Sequence, residues 1–362
     1  SGASLTNLPA SGKAKNLIIN GAMTVAQRGT SSTTNGFGTV DRFQCLAGNV
    51  DEAPTQAQVD VAAGTSPYTN GFRKALKITN GNQTGGAGAD DYILVRTTLE
   101  AQDLAKSGWN YTSSSSNITL SFWIKSSVAQ NFYGHIRAVD GTSQNYPFET
   151  GSLSADTWTK VTKTIPGNSN LQFDNNASAG MEVNFAAFFG TNYTSGISVN
   201  QWIAYAAANL TPDQTSTWYT TNDATLEITG VQLEVGDSAT DFELLTFAEN
   251  LRKCQRYLFR LGNNSPYPLT LVNGLASSST NVKTMIPYPQ EMRGTPTFTY
   301  NSITIDDDVA SYASNRISGM NSTVGGTDRG QINFDVTGTS GGRFCRIQVT
   351  TAGGYIQGDA EL

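Results

Sequence analysis

The chain has 362 residues, which is enough for two or three domains with cores of their own. Only 14% of the residues are charged, while glycine occurs 36 times, a balance typical of β-sandwiches with many turns. The formal net charge of -6 and the lack of a basic stripe argue against nucleic acid as a partner, and no apolar run reaches the roughly 18 residues of a membrane span. We therefore expect a β protein that neither binds nucleic acid nor inserts into a membrane.

Residues 1–15 are rich in small residues and lysine, which indicates a linker or the end of a shaft. Residues 16–245 then predict an antiparallel, jelly-roll-like β-sandwich. Short β-forming runs follow one another between Gly, Asn, Ser and Asp clusters, and no long helical pattern separates them. After a short apolar strand at 17–19, the predicted strands are 42–46, 57–61, 74–78, 92–99, 118–125, 132–139, 158–165, 181–189, 203–207 and 226–235.

The run at 118–125 has the most regular alternation in the chain. Its apolar residues occupy every second position, and polar residues or Trp123 occupy the positions between them. Alternation with a period of two indicates a strand with one buried face. The residues predicted to face the core are Ile118, Leu120, Phe122 and Ile124.

The last predicted strand of this region changes its alternation at Gly230. Leu226 and Ile228 share one face, whereas Val231 and Leu233 continue at the opposite parity. A change of parity at a glycine is a common sign of a β-bulge.

Residues 246–262 predict a helix and a connector. Thr246 followed by Glu249 is the pattern of a capping box at a helix start. Two interpretations of the following residues remain open. In one, a longer helix carries an apolar seam that could face copies of itself around a three-fold axis. In the other, which is favoured, the helix stops near Gln255 and a strand begins. The seam residues are Phe247, Leu251, Cys254, Leu258 and Leu261.

Residues 263–362 predict a second, smaller β domain of about a hundred residues. The segment begins with a polar hinge that contains proline, and glycine pairs punctuate its end. The predicted strands are 269–272, 283–286, 297–300, 302–305, 331–336 and 344–350.

Several segments resemble tail fibre proteins of marine, cyanophage-like phages. They are GVQLEVGDSATDFE (230–243), CQRY (254–257), NLIINGAMTVAQR (16–28), VDRF (40–43) and GDAEL (358–362). The pattern N-L-x-x-N-G is also similar to the start of many jelly-roll carbohydrate-binding modules. The resemblance implies a homotrimeric protein of the virion, outside the cell, that is joined to the rest of the tail fibre and binds a receptor.

No motif in the sequence indicates catalysis, a cofactor or a metal site. His135 is the single histidine, and its strand pattern indicates an ordinary sheet-face residue. The three cysteines form no C-x-x-C pair. Carboxylates are the remaining route to an enzyme, because glycoside hydrolysis needs only two of them. The acidic runs 306–308 and 90–91 are interpreted as solvated loops, with calcium binding or catalysis as alternatives.

The candidate ligand-binding residues fall into two groups, because rings near polar turns suit the flat C–H faces of sugars. The first domain offers Trp109, Tyr111, Trp218 and Tyr219. The second domain offers two polar loops, 306–312 and 319–329, and the segment between them. These carry Tyr312, Asn315, Arg316, Asn321, Asp328 and Arg329. By the resemblance the second domain is outermost, which favours its loops. The alternative is that each ring fills the end of the sandwich or lies in a subunit contact.

We therefore expect a non-enzymatic receptor-binding protein that attaches a virion to a host surface glycan such as lipopolysaccharide or a capsule. Two other functions remain open. One is a polysaccharide depolymerase that uses paired carboxylates. The other is a purely structural fibre segment.

Overall fold

The computed structural model describes residues 15–262, 269–307, 316–349 and 351–362, with residues 321–323 described in backbone only. The described chain is all-β apart from short helices, as the sequence predicts. It forms two compact units, and the division between them falls after Asn250. The sequence predicts that the second domain begins at residue 263. The earlier division arises because a strand that precedes residue 263 pairs within the second unit.

The first unit is a sandwich of two antiparallel sheets. The first sheet has the order β1-β3-β4-β12-β6-β9, and the second has the order β11-β8-β7-β10-β5-β2. The helices are α1 (Ser66–Thr69), α2 (Ala101–Ala105) and α3 (Thr217–Thr220). The strands are β1 (Ser31–Ser32), β2 (Gln44–Gly48), β3 (Thr55–Asp60), β4 (Lys74–Thr79), β5 (Tyr92–Glu100), β6 (Asn117–Ser126), β7 (Asn131–Ala138), β8 (Gln144–Ser152), β9 (Thr159–Pro166), β10 (Ala179–Phe189), β11 (Ile203–Ala204) and β12 (Thr225–Val235).

The core of this unit lies between the two sheets. Ile118, Leu120, Phe122 and Ile124 are all buried in it, which confirms the predicted face of β6. Phe122 packs edge-on against Phe185 of the opposite sheet, with ring centroids 4.8 Å apart. Each fully buried side chain of this size contributes about 1.5–3 kcal/mol through removal of apolar area from water.

The predicted bulge in β12 is present. The pairing of β12 with β6 shifts register between Thr229 and Gln232, and Gly230 has φ +63°. A Cβ at Gly230 would lie 2.6 Å from the ring of Phe72. Both the backbone conformation and the close ring therefore require glycine at this position.

The expected strand at 17–19 is not formed. A single backbone hydrogen bond runs from Leu17 N to Leu233 O, and the chain then turns. Asn16 fixes this segment through its side chain. Its Oδ1 accepts from the amides of Ile18 and Leu233, and its Nδ2 donates to the carbonyl of Val231. Because the amide side chain satisfies these backbone groups, no strand ladder is needed.

Helix α4 (Phe247–Gln255) begins with the predicted capping box. The Thr246 amide donates to the Glu249 carboxylate at 2.8 Å, and the Glu249 amide donates back to Thr246 Oγ1 at 3.3 Å. The helix ends at Gln255 and a strand follows, so the shorter of the two alternatives is confirmed. The apolar seam is therefore not continuous on one helix, and its members Cys254 and Leu258 are fully buried within their own chain.

The second unit is a near-barrel of two antiparallel sheets, of order β13-β21-β16 and β17-β20-β14-β15-β19-β18, around a separate core. Its strands are β13 (Leu258–Gly262), β14 (Leu269–Ala276), β15 (Asn281–Pro287), β16 (Thr297–Asn301), β17 (Ile303–Asp306), β18 (Ile317–Gly325), β19 (Arg329–Val336), β20 (Phe344–Val349) and β21 (Tyr355–Asp359). The prediction of a loop at 319–329 is wrong, because most of this segment is β18 paired with β19. Only residues 326–328 form the turn between the two strands.

We predict that Gly230→Ala lowers the free energy of unfolding of the full chain by about 2–4 kcal/mol. Strain at positive φ and the clash with Phe72 each contribute on the order of 1–3 kcal/mol. Gly196→Ala is the matched control, because an added Cβ there meets nothing within 4 Å. Chemical denaturation measures both variants, and equal stabilities would contradict this account of the bulge.

Candidate functional site

The outer face of the second sheet carries a group of polar side chains on three neighbouring strands. Arg96 on β5 is paired in register with Asn184 on β10, which is paired in turn with His135 on β7. Two residues further along these two strands, Glu182 on β10 is paired with Arg137 on β7. Alternate residues of these strands point into the core, so these five project from the opposite face. We call the five residues the outer-face site.

An ionic bridge crosses the outer-face site. Glu182 lies between two arginines, with Oε1 3.4 Å from Arg96 Nη1 and Oε2 3.7 Å from Arg137 Nη1. The side chains of Arg96 and Arg137 are 24% and 27% exposed, and that of Glu182 is 12% exposed. Both contacts are longer than the usual 2.7–2.9 Å of a charge-assisted hydrogen bond. The bridge is therefore a loose one at a half-buried surface.

Each arginine is oriented by a further contact. The Nε of Arg96 donates to Asn184 Oδ1 at 2.7 Å. The guanidinium carbon of Arg137 lies 3.9 Å from the centroid of the Tyr205 ring, which is cation–π geometry. Stacking on a ring fixes the plane of a guanidinium and leaves its in-plane N–H groups free to meet acceptors. The Nε of Arg137 is buried and has no hydrogen-bond acceptor among the described residues.

Aromatic residues border the outer-face site. Tyr205 packs against an apolar cluster on this same side of the sheet, together with Tyr92 and Tyr193. Tyr193 lies edge-on to Tyr92 at 5.5 Å and tilted to Phe189 at 5.9 Å. The tyrosines are half-buried. Tyr205 also contacts Arg137, so this surface offers both ring carbons and hydrogen-bonding groups.

His135 is buried beneath this surface as a neutral imidazole. The Nδ2 of Asn145 donates to the carbonyls of Asn209 and Leu210, which leaves its Oδ1 as the acceptor 2.8 Å from His135 Nδ1. Nδ1 therefore carries the proton, and Nε2 is an acceptor without a partner in the described structure. Burial lowers the pKa of His135 to about 3, the Asn145 hydrogen bond opposes this shift, and the charges of Arg96 and Arg137 lower the pKa further.

The first-domain aromatic group of the sequence analysis lies largely in the core. Trp109, Trp218 and Tyr219 are 3%, 0% and 1% exposed. The indole N–H of Trp109 donates to Ser116 O, that of Trp218 donates to Thr225 O, and the Tyr219 hydroxyl donates to Asp91. The prediction that these three residues contact a ligand is wrong, because none of their ring faces is open to solvent. Tyr111 is half-buried and rests edge-on against Phe173.

The second-domain group is not assembled into one site by the described residues. Arg316 is buried and makes two hydrogen bonds to Asp307, at 2.8 and 3.3 Å, so its proposed contact with a ligand is corrected to a structural ion pair. Asp328 and Arg329 form an exposed pair at the β18–β19 turn. Tyr312, Asn315 and the side chain of Asn321 lie outside the described residues, and their predicted roles remain predictions.

The acidic runs make specific internal contacts. Asp306 accepts from Arg346 at 2.6 Å, and Asp307 pairs with Arg316. Asp90 accepts from Asn192, and Asp91 from the amide of Gly88 and the Tyr219 hydroxyl. Among the described residues, no group of three or more His, Cys, Asp and Glu side chains could hold a metal ion. No described helix is long and apolar enough to cross a membrane.

Sequence reasoning missed the outer-face site. It placed His135 on a sheet face, but it did not connect that residue with Arg96 or Glu182, which lie on other strands. The available signal was the alternation of polar and apolar residues within β7 and β10. That alternation shows which residues share a face within a strand, whereas the register between strands decides which of them become neighbours.

No protein-family model matches the chain, and no curated protein matches it. The chain is similar over part of its length to several solved structures, at low scores. One is the enzymatically active domain of tailspike protein 4 from bacteriophage CBA120, at 10% identity and a TM-score of 0.31, where the match covers 61% of this chain and 21% of that one. A second is a CBM4 structure, at 12% identity and a TM-score of 0.30, with 60% of this chain and 98% of that one covered. A third is the N-terminal cellulose-binding domain of β-1,4-glucanase C from Cellulomonas fimi, at 11% identity and a TM-score of 0.28, with 60% of this chain and 99% of that one covered.

The chain spans about a fifth of the length of the tailspike domain. All of these TM-scores lie below 0.5. The matches therefore carry no conclusion about what this chain binds, and a functional proposal must rest on the chain's own residues.

We predict that stability falls as the pH drops below 6.5. The folded pKa of His135, about 3, lies below its ordinary value of 6.5, so the unfolded chain binds a proton that the folded chain does not. The resulting slope approaches about 1.4 kcal/mol per pH unit between pH 6 and 5. Denaturation of wild type and His135→Gln measures it, and the variant should lack this slope. An imidazole that titrates near pH 6.5 by NMR would contradict the prediction.

Proposed function

We propose that the chain is a non-catalytic carbohydrate-binding protein and that its outer-face site contacts the glycan. The observation that carries the proposal is the arrangement of Arg137 stacked on Tyr205 beside Arg96 and Asn184. Ligand sites of this kind combine ring surfaces with a few fixed polar groups that set orientation. The charged residues of the site stand on strands of the second sheet, and Tyr205 directly follows β11 (Ile203–Ala204).

We propose further that the glycan lies on a host cell surface and that the chain is the receptor-binding part of a phage tail fibre. The support is the resemblance of segments 16–28, 230–243 and 254–257 to tail fibre proteins. In this proposal the protein belongs to the virion, lies outside the cell and is joined to the rest of the fibre. Weak binding at each site is compensated by several copies, because a second contact occurs at high effective concentration.

The arginine contacts of three carboxylates favour a binding role over hydrolysis. Asp306 and Asp307 are engaged with Arg346 and Arg316, and Glu182 lies between two arginines. The general acid of a glycosidase must present its carboxyl group to the glycosidic oxygen, whereas these three groups are in ion pairs with arginines of their own chain. None of these three groups is placed to act as that acid.

We predict that Tyr205→Ala weakens binding of the full chain to its polysaccharide by about tenfold, which corresponds to about 1.4 kcal/mol. The substitution removes the ring on which Arg137 is stacked. Tyr68→Ala is the matched control, because Tyr68 stacks with Arg73 in the same way, at 3.8 Å, in another part of the first unit. The measurement is retention of the purified chain on host cells and on an array of bacterial surface polysaccharides.

Three outcomes of that experiment would contradict the proposal. Wild-type chain that binds no cell or polysaccharide would exclude carbohydrate binding. Equal losses in Tyr205→Ala and Tyr68→Ala would place the effect outside the outer-face site. Release of new reducing ends from a bound polysaccharide would show hydrolysis and would favour the depolymerase alternative.

We propose that the chain assembles as a homotrimer, with contacts at the start of α4. Phe247 and Leu244 are 60% and 57% exposed, although both are large and apolar. Exposed apolar residues that cluster commonly mark protein contacts. The buried part of the former seam, Cys254 and Leu258, takes no part in this contact.

We predict a mass of about three times the 38.6 kDa chain by light scattering at micromolar concentration. Phe247→Asp should lower the mass, because a charge then replaces a ring in the contact. Phe344→Asp is the matched control, since Phe344 is equally exposed at 61% but lies in the second unit. A mass of one chain for wild type would exclude the trimer, and loss of the trimer only in Phe344→Asp would move the contact elsewhere.

A further inference from the structure

The outer-face site has more positive than negative charge. Among the residues that the structure describes, Glu182 is the only carboxylate in ion-pair contact with Arg96 or Arg137. One carboxylate cannot neutralise two guanidinium groups, which stay charged at all ordinary pH values. The surface is half-buried, so this excess charge is screened less than on an open face.

We propose that the outer-face site binds an acidic sugar unit, whose carboxylate or sulfate group contacts both Arg96 and Arg137. The inference rests on the proposed carbohydrate-binding function and names the class of glycan. An oxyanion with at least two oxygen acceptors would complete the charge balance. It would also accept in-plane N–H donors from both guanidinium groups, which is the geometry for which arginine is suited.

The donors of both arginines are arranged before any ligand arrives. Asn184 fixes Arg96 through Nε, and Tyr205 fixes the plane of Arg137. The Nε–H of Arg137 is buried and finds no acceptor within the described residues. A buried donor without an acceptor is costly, so an acceptor that comes within reach of this group stabilises the complex. Fixed donors also lose little conformational entropy on binding.

The Glu182 carboxylate competes only weakly with a ligand anion for contact with the two arginines. Glu182 approaches the two arginines only to 3.4 and 3.7 Å, and its buried Oε2 forms no hydrogen bond within the described structure. Its negative charge is therefore not tightly bound to either guanidinium. In this proposal a ligand oxyanion contacts both arginines while Glu182 remains in place.

The two arginines of the outer-face site lie together on a chain whose formal net charge is negative. The formal net charge is -6, yet the charges of Arg96 and Arg137 both disfavour a proton on His135 beneath them. A local positive potential on an acidic protein attracts an anion to one place and repels it elsewhere. A cationic site on a chain of negative net charge therefore favours docking of an acidic polymer at that site over the rest of the surface.

The competing explanation is that the Arg96–Glu182–Arg137 bridge only stabilises the sheet. The two explanations predict opposite effects of Glu182→Gln. A structural bridge is broken by this change, and ligand binding falls with stability or stays the same. An anion site instead gains positive charge, so its affinity for an acidic glycan rises while the melting temperature falls or stays unchanged.

The test presents the full chain with four polymers in two matched pairs at physiological salt. Polygalacturonate is paired with its carboxyl-reduced form, and dextran sulfate is paired with dextran. The chain should bind at least one charged polymer tenfold or more tightly than its neutral partner, and added salt should weaken that binding. The two charged polymers distinguish a carboxylate from a sulfate as the preferred group.

The variants then locate the effect. Arg96→Gln and Arg137→Gln should each remove the preference for the charged polymer, and Glu182→Gln should strengthen it. Arg73→Gln should leave it unchanged, because Arg73 is an exposed arginine stacked on Tyr68 outside the site. If an arginine variant fails to fold, the direction of the Glu182→Gln effect still decides the question.

The outcomes separate this inference from the proposed function. Binding of charged and neutral polymers with equal affinity would overturn the acidic-sugar inference and leave carbohydrate binding intact. A preference that persists in both arginine variants, or weakens in Glu182→Gln, would overturn the assignment to this site. Failure to bind any of these polymers, any polysaccharide of the array or the host cells would overturn both proposals.

Discussion

The bulge at Gly230 is the constraint on which the first unit depends. Strand β12 lies between β4 and β6 in the middle of the first sheet. A shift of one residue in a strand turns every following side chain to the opposite face. The bulge makes use of this effect, because Ile228 before it and Val231 after it have opposite parity yet both are buried in the same core. Without the extra residue, one half of β12 would place its apolar residues outside, and the two sheets could not close over a common core.

A closed core makes the second sheet a rigid support for chemistry on its outer face. Val95, Ile136 and Val183 fill the core from β5, β7 and β10. Their neighbours along the same strands are the arginines, the glutamate and the asparagine of the outer-face site. Sheet pairing therefore sets the distances between the charged groups, while side-chain contacts such as Arg137 on Tyr205 set their orientation. The outer-face site is a direct consequence of the same alternation that builds the core.

The sequence predicted most strands because alternation and turn residues are local signals, and it predicted the bulge for the same reason. Strand β8 was missed since it contains Pro147 and Gly151, which weaken a strand pattern. The candidate binding residues were predicted less successfully than the strands. Trp109 stands in a polar turn, but its indole N–H is satisfied by the nearby Ser116 carbonyl, so the ring is buried despite its polar neighbours. Arg96 and Glu182 are far apart in the chain, and only the register between strands brings them together.

Hydrogen–deuterium exchange of the full chain, with and without a bound polysaccharide, tests most directly whether the outer-face site contacts a glycan. Amides of a strand that lies under a bound ligand exchange more slowly than in the free protein. The account predicts added protection in peptides that cover β7 (Asn131–Ala138), β10 (Ala179–Phe189) and residues 190–213, which include Tyr205. Protection confined to residues 269–362, with β7 and β10 unchanged, would contradict it and would place the receptor site in the second unit.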